Sequence, residues 1–120
     1  MARKDELGRW GETIAADALA RQGYRILDHN WRCEAGEIDI VAVDADTVVF
    51  VEVKTRRTTS YGDPLEAITP QKCSRLRVLA GEWCRRNPEI LARNIRIDGV
   101  GIVGDGRRVL SLDHRQAIAS

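Results

Sequence analysis

The 120-residue sequence contains few of the residues that mark several common classes of protein. Its three cysteines, Cys33, Cys73 and Cys84, are odd in number and show no C-x-x-C spacing, which excludes a disulfide framework and favours free thiols. The two histidines lie far apart in the sequence, so no zinc site is predicted. The longest apolar runs, Ile40–Val43 and Val48–Val51, fall far short of the roughly 18 residues that span a membrane, so no membrane partner is expected.

The opening sequence, MARKDELGRWGE, includes no apolar stretch of the kind that signal peptides carry, so a cytoplasmic location is expected. Apolar residues make up 43% of the chain and charged residues 31%, as in soluble globular proteins. A chain of this length is sufficient for one hydrophobic core and too short for two ordinary domains. Residues 1–120 are therefore predicted to form a single domain.

The net charge of +1 conceals an uneven distribution along the chain. Residues 1–53 carry six basic and eleven acidic side chains, whereas residues 54–86 carry eight basic and three acidic ones. One interpretation is a solvated surface on which the charges average out. The other is a basic stripe that binds phosphates beside an acidic pocket that binds a cation.

Hydrophobic periodicity and turn residues predict the order α-β-β-β-α-β with an extra strand. The predicted elements are a helix from Lys4 to about Gln22, a strand at 24–33, a hairpin over 36–55 with its turn at 44–47, a loop at 60–69, a helix from Pro70 to about Arg86, and strands at 94–104 and 107–113. The connection through the second helix is long enough to make the third and fourth strands parallel neighbours. The sequence therefore predicts an α/β fold in which helices flank a mixed sheet.

Charged residues inside the apolar strands of the hairpin are the feature that most needs an explanation. If the turn is symmetric about Ala45–Asp46, then Asp39 faces Glu52, and Glu37 faces Lys54, on one face of the sheet. Like charges directly opposite each other destabilise a sheet. A divalent cation between the carboxylates would offset that cost, because Mg²⁺ prefers hard oxygen ligands. Lys54 would then lie where it could hold a water or neutralise charge that develops on a phosphate.

Two other interpretations of the hairpin stay open at this point. In one, the hairpin faces solvent and Glu37 and Lys54 form an ordinary surface ion pair. In the other, two carboxylates roughly 5 Å apart serve a retaining glycosidase. The second is disfavoured because sugar clefts generally need aromatic platforms. Aromatic residues make up only 5% of this chain, and Phe50 alone is predicted near the pair.

Four segments carry a resemblance to a known family: GRWGE, GYRILDHNWRCEAGEIDIVA, VVFVEVKTR and YGDPLEAITPQK. Over roughly residues 7–103 the chain resembles the small bacterial YraN-like family of the PD-(D/E)xK nuclease superfamily, which is related to the archaeal Holliday-junction resolvases. The resemblance implies a restriction-endonuclease-like αβββαβ core. It also implies that Asp39, Glu52 and the carbonyl of Val53 bind Mg²⁺ or Mn²⁺. Lys54 would position the attacking water or stabilise the transition state, and Glu12 would complete the acidic pocket.

The resemblance and the basic stripe together predict a surface for DNA or another nucleic acid. Gln71 and Lys72 lie where some superfamily members carry a supporting polar residue, and the remaining predicted phosphate contacts are Arg56, Arg57, Arg75 and Arg86. No motif for reading base edges is found, which favours structure-selective or nonspecific binding. Related resolvases work as dimers, so a homodimer is one expectation.

The expected function is a metal-dependent endonuclease that hydrolyses DNA phosphodiester bonds in repair or recombination. One alternative is a nucleic-acid-binding module that has no catalytic activity of its own. Another is a structural protein in which the carboxylates simply pair with Lys54 and nearby arginines. Metal binding distinguishes the first two from the third, and dependence of cleavage on Asp39 distinguishes the first from the second.

Overall fold

The computed structural model describes residues 6–91 and 94–119 and consists of a five-stranded sheet with helices packed against it. Its elements are α1 (Glu6–Arg21), β1 (Arg25–Cys33), β2 (Gly36–Asp44), β3 (Thr47–Arg56), a 3₁₀ turn (Pro64–Ala67), α2 (Pro70–Arg86), β4 (Asn94–Gly104) and β5 (Val109–Arg115). The predicted order is therefore confirmed, while the predicted first helical residue, Lys4, lies outside the described residues. The three cysteines are free thiols, as predicted. Within the described residues, no helix is both long and apolar enough to cross a membrane.

Side-chain caps explain where several elements begin. The Thr69 hydroxyl accepts a hydrogen bond from the amide of Lys72, and Pro70 occupies the first turn of α2, which confirms the predicted helix start. The predicted loop at 60–69 instead contains the 3₁₀ turn, because the Asp63 carboxylate accepts from the amide of Leu65. The last strand begins at Val109 rather than at 107, since Asp105 holds the two preceding residues in a tight turn.

The strands lie in the order β1-β2-β3-β4-β5. β3 and β4 run parallel, as predicted for the connection through α2, and the other neighbouring strands are antiparallel. The predicted hairpin register is confirmed where Val43 pairs with Val48 and Val41 pairs with Phe50. This mixed sheet confirms the αβββαβ core.

The two helices cover opposite faces of the sheet, so β2 and β3 are buried on both sides. One cluster joins α1 to the sheet, through residues that include Ala15, Leu19, Ile40, Val49 and Val51. The other joins α2 to the sheet, through residues that include Val41, Phe50, Leu76, Leu79 and Trp83.

The hairpin changes its geometry at Asp39. Backbone pairing between β2 and β3 ends at Ile40 and Val51, so the predicted opposed pairs of Asp39 with Glu52 and of Glu37 with Lys54 are not part of the ladder. Ile38 packs in the α2-side cluster and Ile40 in the α1-side cluster, although strict alternation would place both on one face. The strands therefore separate at the residues for which the sequence predicts a functional site.

Candidate active site

A cleft of about 480 Å³ opens where β2 and β3 stop pairing. Elements from both faces of the sheet contribute to it, with α1 on one side and the first half of α2 on the other. Its lining includes all four predicted catalytic residues, the predicted ligand Val53 and three of the predicted phosphate contacts: Glu12, Asp39, Glu52, Val53, Lys54, Arg56, Lys72 and Arg75. The structure thus brings together side chains that are up to 63 residues apart in the sequence.

Asp39 is held against β3 by a hydrogen bond across the gap between the strands. Its Oδ2 atom accepts from the backbone amide of Val53 at 2.8 Å, and only 6% of the residue is exposed. The side chain thereby takes up a backbone donor beyond the point where the regular ladder ends. This bond brings the Asp39 carboxylate next to that of Glu52.

Glu52 has an unusual protonation equilibrium because of where it lies. Burial and then the negative charge of Asp39 raise the pKa of Glu52 to about 7, and the ammonium of Lys54 opposes this increase only in part. The Nζ atom of Lys54 lies 3.4 Å from the Glu52 carboxylate. The crowding of two carboxylates that the sequence predicted is therefore present, although it does not arise from a ladder pair.

The side of the cleft formed by α2 is positively charged. The ammonium groups of Lys54 and Lys72 lie close enough that Lys54 lowers the pKa of Lys72. Lys72 belongs to the first turn of α2, where backbone amides and the helix dipole also favour an anion. Arg75 lies one turn further along and lines the same cleft. A phosphate next to these groups would offset the repulsion between the two lysines.

A close approach between α1 and β3 brings Glu12 to the cleft. A side chain at Gly11 would overlap the hydroxyl of Thr55, so glycine allows the helix to lie directly against the strand. Glu12 follows Gly11 and is 7% exposed. Thr55 was not identified from the sequence, since nothing in its own neighbourhood indicates which helix residue it contacts. A side chain at Gly8, by contrast, would meet open space.

The residues present fit a hard divalent cation. Mg²⁺ in proteins usually takes one or two carboxylates and completes its coordination with water and substrate phosphate, and Mn²⁺ accepts the same oxygen donors. Asp39 and Glu52 supply such a pair, and Val53 lies between them and lines the cleft. Among residues 6–91 and 94–119, no three histidine, cysteine, aspartate or glutamate side chains form a ready-made ligand cage.

The remaining predicted phosphate contacts do not share the cleft. Gln71 is exposed at the start of α2 and is absent from the cleft lining, within the described part of the chain. Arg57 donates instead to the backbone carbonyl of Asp105 at 3.2 Å. Arg86 lies at the far end of α2, where it bonds to Glu82 and stacks over Trp31 at 5.7 Å. The basic stripe predicted from sequence order is therefore divided in space.

Comparison with known proteins agrees with the motifs. Residues 11–102 match the model of the family described as Uncharacterised protein family UPF0102. The chain is 54% identical to a UPF0102 protein of Leifsonia xyli over 103 residues, which are 86% of each chain. It is 48% identical to a UPF0102 protein of Paenarthrobacter aurescens, with 98% of this chain and 97% of the other covered. A UPF0102 protein of Arthrobacter sp. is 47% identical, with 98% and 99% covered.

Proposed function

The chain belongs to the UPF0102 family, which confirms the family resemblance of its motifs, and we propose that it is a metal-dependent endonuclease that hydrolyses DNA phosphodiester bonds. The observation that carries this proposal is the pair of carboxylates formed by Asp39, which is buried, and Glu52, which is 15% exposed, beside Lys54. Two crowded carboxylates and an ammonium within one cleft are costly to the fold. A cation and a phosphate are the ligands that would offset that cost.

Each residue of the cleft has a distinct role in this proposal. Asp39 and Glu52, with the carbonyl of Val53, would hold Mg²⁺ or Mn²⁺. When bound, the ion would supply Lewis-acid stabilisation and lower the pKa of a coordinated water. Lys54 donates hydrogen bonds to the attacking water or to a phosphate oxygen on which charge develops. Glu12 adds its carboxylate to the acidic side of the cleft.

The positive side of the cleft indicates how the substrate lies. Lys72 and Arg75 line the same cleft as Asp39 and Glu52, so a phosphodiester bound in it would contact both these cations and the metal. Such contacts fix the position of the backbone without reading sequence. This favours recognition of DNA structure over base identity, as repair or recombination requires.

Cleavage of a DNA panel by matched variants tests the proposal. A four-way junction, a flap, a single strand and a duplex would be incubated with the wild type, Asp39→Asn and Asp17→Asn in Mg²⁺ or Mn²⁺. We expect Asp39→Asn to lose at least about 100-fold in rate, because removing a metal ligand removes transition-state stabilisation. Asp17 lies on the exposed side of α1, so its variant should cut like the wild type.

A nucleic-acid-binding module without activity of its own is the second candidate. The close pair of Lys54 and Lys72 favours it, since these groups can bind phosphate without a metal. DNA binding by the wild type with no cleavage in either metal would select this function. Failure to bind DNA or Mn²⁺ would reject both, and equal cleavage by Asp39→Asn and the wild type would reject the proposed site.

A further inference from the structure

The hairpin between β4 and β5 places two arginines next to the end of β3. Arg107 and Arg108 are exposed at this turn, and Arg57, which follows β3, is exposed and hydrogen-bonded to the backbone of Asp105 within it. We call Arg57, Arg107 and Arg108 the hairpin surface. Arg57 lies 50 residues before Arg107 in the sequence, and sequence order did not connect Arg107 and Arg108 with the basic stripe.

The register of the sheet puts the hairpin surface at the same edge as the cleft. β3 and β4 are parallel, with Lys54 paired to Gly101 and Arg56 paired to Val103. Both strands therefore end at this edge, and β5 begins there. Neighbouring strands lie about 4.8 Å apart, so the turn between β4 and β5 is roughly 5–10 Å from the end of β3. Arg56, which lines the cleft, comes directly before Arg57.

The hairpin has features of a fixed support rather than a loose loop. The Asp105 carboxylate accepts hydrogen bonds from the amides of Arg107 at 2.9 Å and Arg108 at 2.8 Å, and these bonds lower the pKa of Asp105. Gly104 packs so closely on Trp10 of α1 that a side chain there would overlap the indole ring. The turn is therefore tied to both β3 and α1.

The charge of this region is positive overall. The concavity next to the hairpin is lined by Arg57 and Arg107 together with two carboxylates, those of Glu6 and Asp105. Asp105 already accepts the two amides of its own turn. With Arg56 and Arg108, four guanidinium groups lie near two carboxylates. Arginine is well suited to phosphate because its planar fork donates two parallel hydrogen bonds.

We propose that the hairpin surface binds the phosphodiester backbone of the DNA whose scissile phosphate lies in the cleft. This inference rests on the proposed function and extends it beyond the cleft. Glu52 lies four residues before the end of β3, so the hairpin surface is roughly 15 Å from the carboxylates, or about four nucleotides at ~3.4 Å per nucleotide along one strand. The hairpin surface therefore contacts the substrate on one side of the point of cleavage, while Lys72 and Arg75 contact it at that point.

The test measures binding without cleavage. Every protein would carry Asp39→Asn and would be titrated in EDTA against a fluorescein-labelled 25-base-pair DNA duplex at 50–200 mM KCl. The test variant adds Arg107→Gln and Arg108→Gln. The matched control adds Arg21→Gln and Arg25→Gln, which remove the same charge from exposed positions at the opposite end of the sheet. Arg57 is left unchanged because its hydrogen bond supports the turn.

We expect the Arg107 and Arg108 double variant to bind at least about tenfold more weakly at 100 mM salt. The slope of log affinity against log salt should fall in magnitude by about 1.8, since each lost phosphate contact removes about 0.9. The control should change affinity by less than about twofold.

Three results would overturn the inference, and they are distinguishable from one another. Unchanged affinity and slope in the Arg107 and Arg108 variant, with weaker binding by a Lys72→Gln, Arg75→Gln variant, would reject the hairpin surface and leave the proposed function in place. An equal loss in the control would show that only overall charge matters. Absence of binding by the parent protein to the duplex and to the junction, flap and single strand of the cleavage panel would reject the proposed function and this inference with it.

Discussion

Two buried acidic centres lie in this sheet, and they are satisfied in opposite ways. Asp98 on β4 is fully buried, and it accepts from Arg96 at 2.8 and 3.0 Å, from the amide of Ala117 at 3.0 Å, and lies 2.8 Å from His114. Burial by itself raises the pKa of Asp98, but the hydrogen bonds from His114 and Arg96 more than reverse this, so the pKa is below its ordinary value. In the cleft, burial and the charge of Asp39 raise the pKa of Glu52.

The difference shows that burial of a carboxylate does not by itself indicate function. At Asp98 several donors converge on one carboxylate, and the charge is compensated by the fold itself. In the cleft two carboxylates lie together, and their mutual repulsion leaves the charge undercompensated. The arrangement at Asp98 stabilises the protein. The arrangement in the cleft leaves negative charge that a bound ligand could neutralise.

The largest expected effect is the loss of protein stability when Asp98 is substituted. Asp98→Asn should lower the free energy of unfolding by about 3–5 kcal/mol at pH 7, because it removes the negative charge of a fully buried group that pairs with Arg96 and lies beside His114. Asp39→Asn is the matched substitution in the cleft and should leave stability unchanged or increase it. Urea denaturation of both variants in EDTA makes the measurement. Equal unfolding midpoints for Asp98→Asn and the wild type would contradict the contrast between the two centres.

The next effect is the pH dependence of stability in the metal-free protein. The pKa of Glu52 is about 7 in the folded state against an ordinary 4.5. Between these values the folded state holds a proton that the unfolded state has released, so stability falls as pH rises. The fall is on the order of 3 kcal/mol, since each such pH unit contributes about 1.4 kcal/mol. Asp98 has the opposite effect, because its pKa is lower in the folded state than the ordinary 3.8. Its ionised form stabilises the protein above pH 3.8, and this stabilisation is lost as the pH falls through the pKa of the folded state.

The substitution Glu52→Gln removes the contribution of Glu52 to the pH dependence of stability. The variant should match the wild type near pH 4.5, become more stable than it by pH 8, and lose metal-dependent cleavage. Glu89→Gln changes an exposed glutamate and should follow the wild-type curve. The free energy of unfolding would be measured by urea denaturation in EDTA from pH 4.5 to 8. If it changed with pH equally in Glu52→Gln and in the wild type, the pKa of Glu52 would not be raised in the folded state.

The sequence predicted the cleft better than it predicted the Asp98 centre, for a physical reason. Asp39 and Glu52 belong to one hairpin, so a short turn and alternating apolar residues were enough to bring them together. Asp98 likewise lies in an apolar strand, but its partner His114 is on another strand, and Arg96 also donates to Tyr24 at 2.7 Å, 72 residues away. Only tertiary contacts identify such partners.

The hairpin register and the position of Arg86 differ from the arrangement expected from sequence order, and each difference has a physical cause. Strict alternation placed Asp39 opposite Glu52, yet the side chain of Asp39 accepts from the amide of Val53, and regular pairing has already ended there. Arg86 was assigned to the phosphate stripe because of sequence order. Arg86 lies 14 residues after Lys72 on the same helix, so the two are about 21 Å apart along its axis, since each residue adds about 1.5 Å.

The smallest effect concerns α1, which lies between the two centres. Its start lines the cleft, and Tyr24, which follows its end, accepts a hydrogen bond from Arg96 beside Asp98. Gly11→Ala should destabilise the protein by about 2 kcal/mol, because the new methyl group overlaps buried Thr55, and it should reduce cleavage by moving Glu12. Gly8→Ala is the matched control for stability and should gain up to about 1 kcal/mol, since its methyl group meets open space and alanine favours the helix; cleavage is compared with the wild type, because Gly8 lines the cleft.

Urea denaturation and cleavage rates of the two glycine variants decide whether the cleft depends on this helix contact. If only Gly11→Ala loses stability, and if it also cuts more slowly than the wild type, then the carboxylates of the cleft need α1 to be packed against β3. Equal stability of the two variants would mean that α1 does not press on Thr55. In that case the contact between Gly11 and Thr55 would not be what holds Glu12 at the cleft.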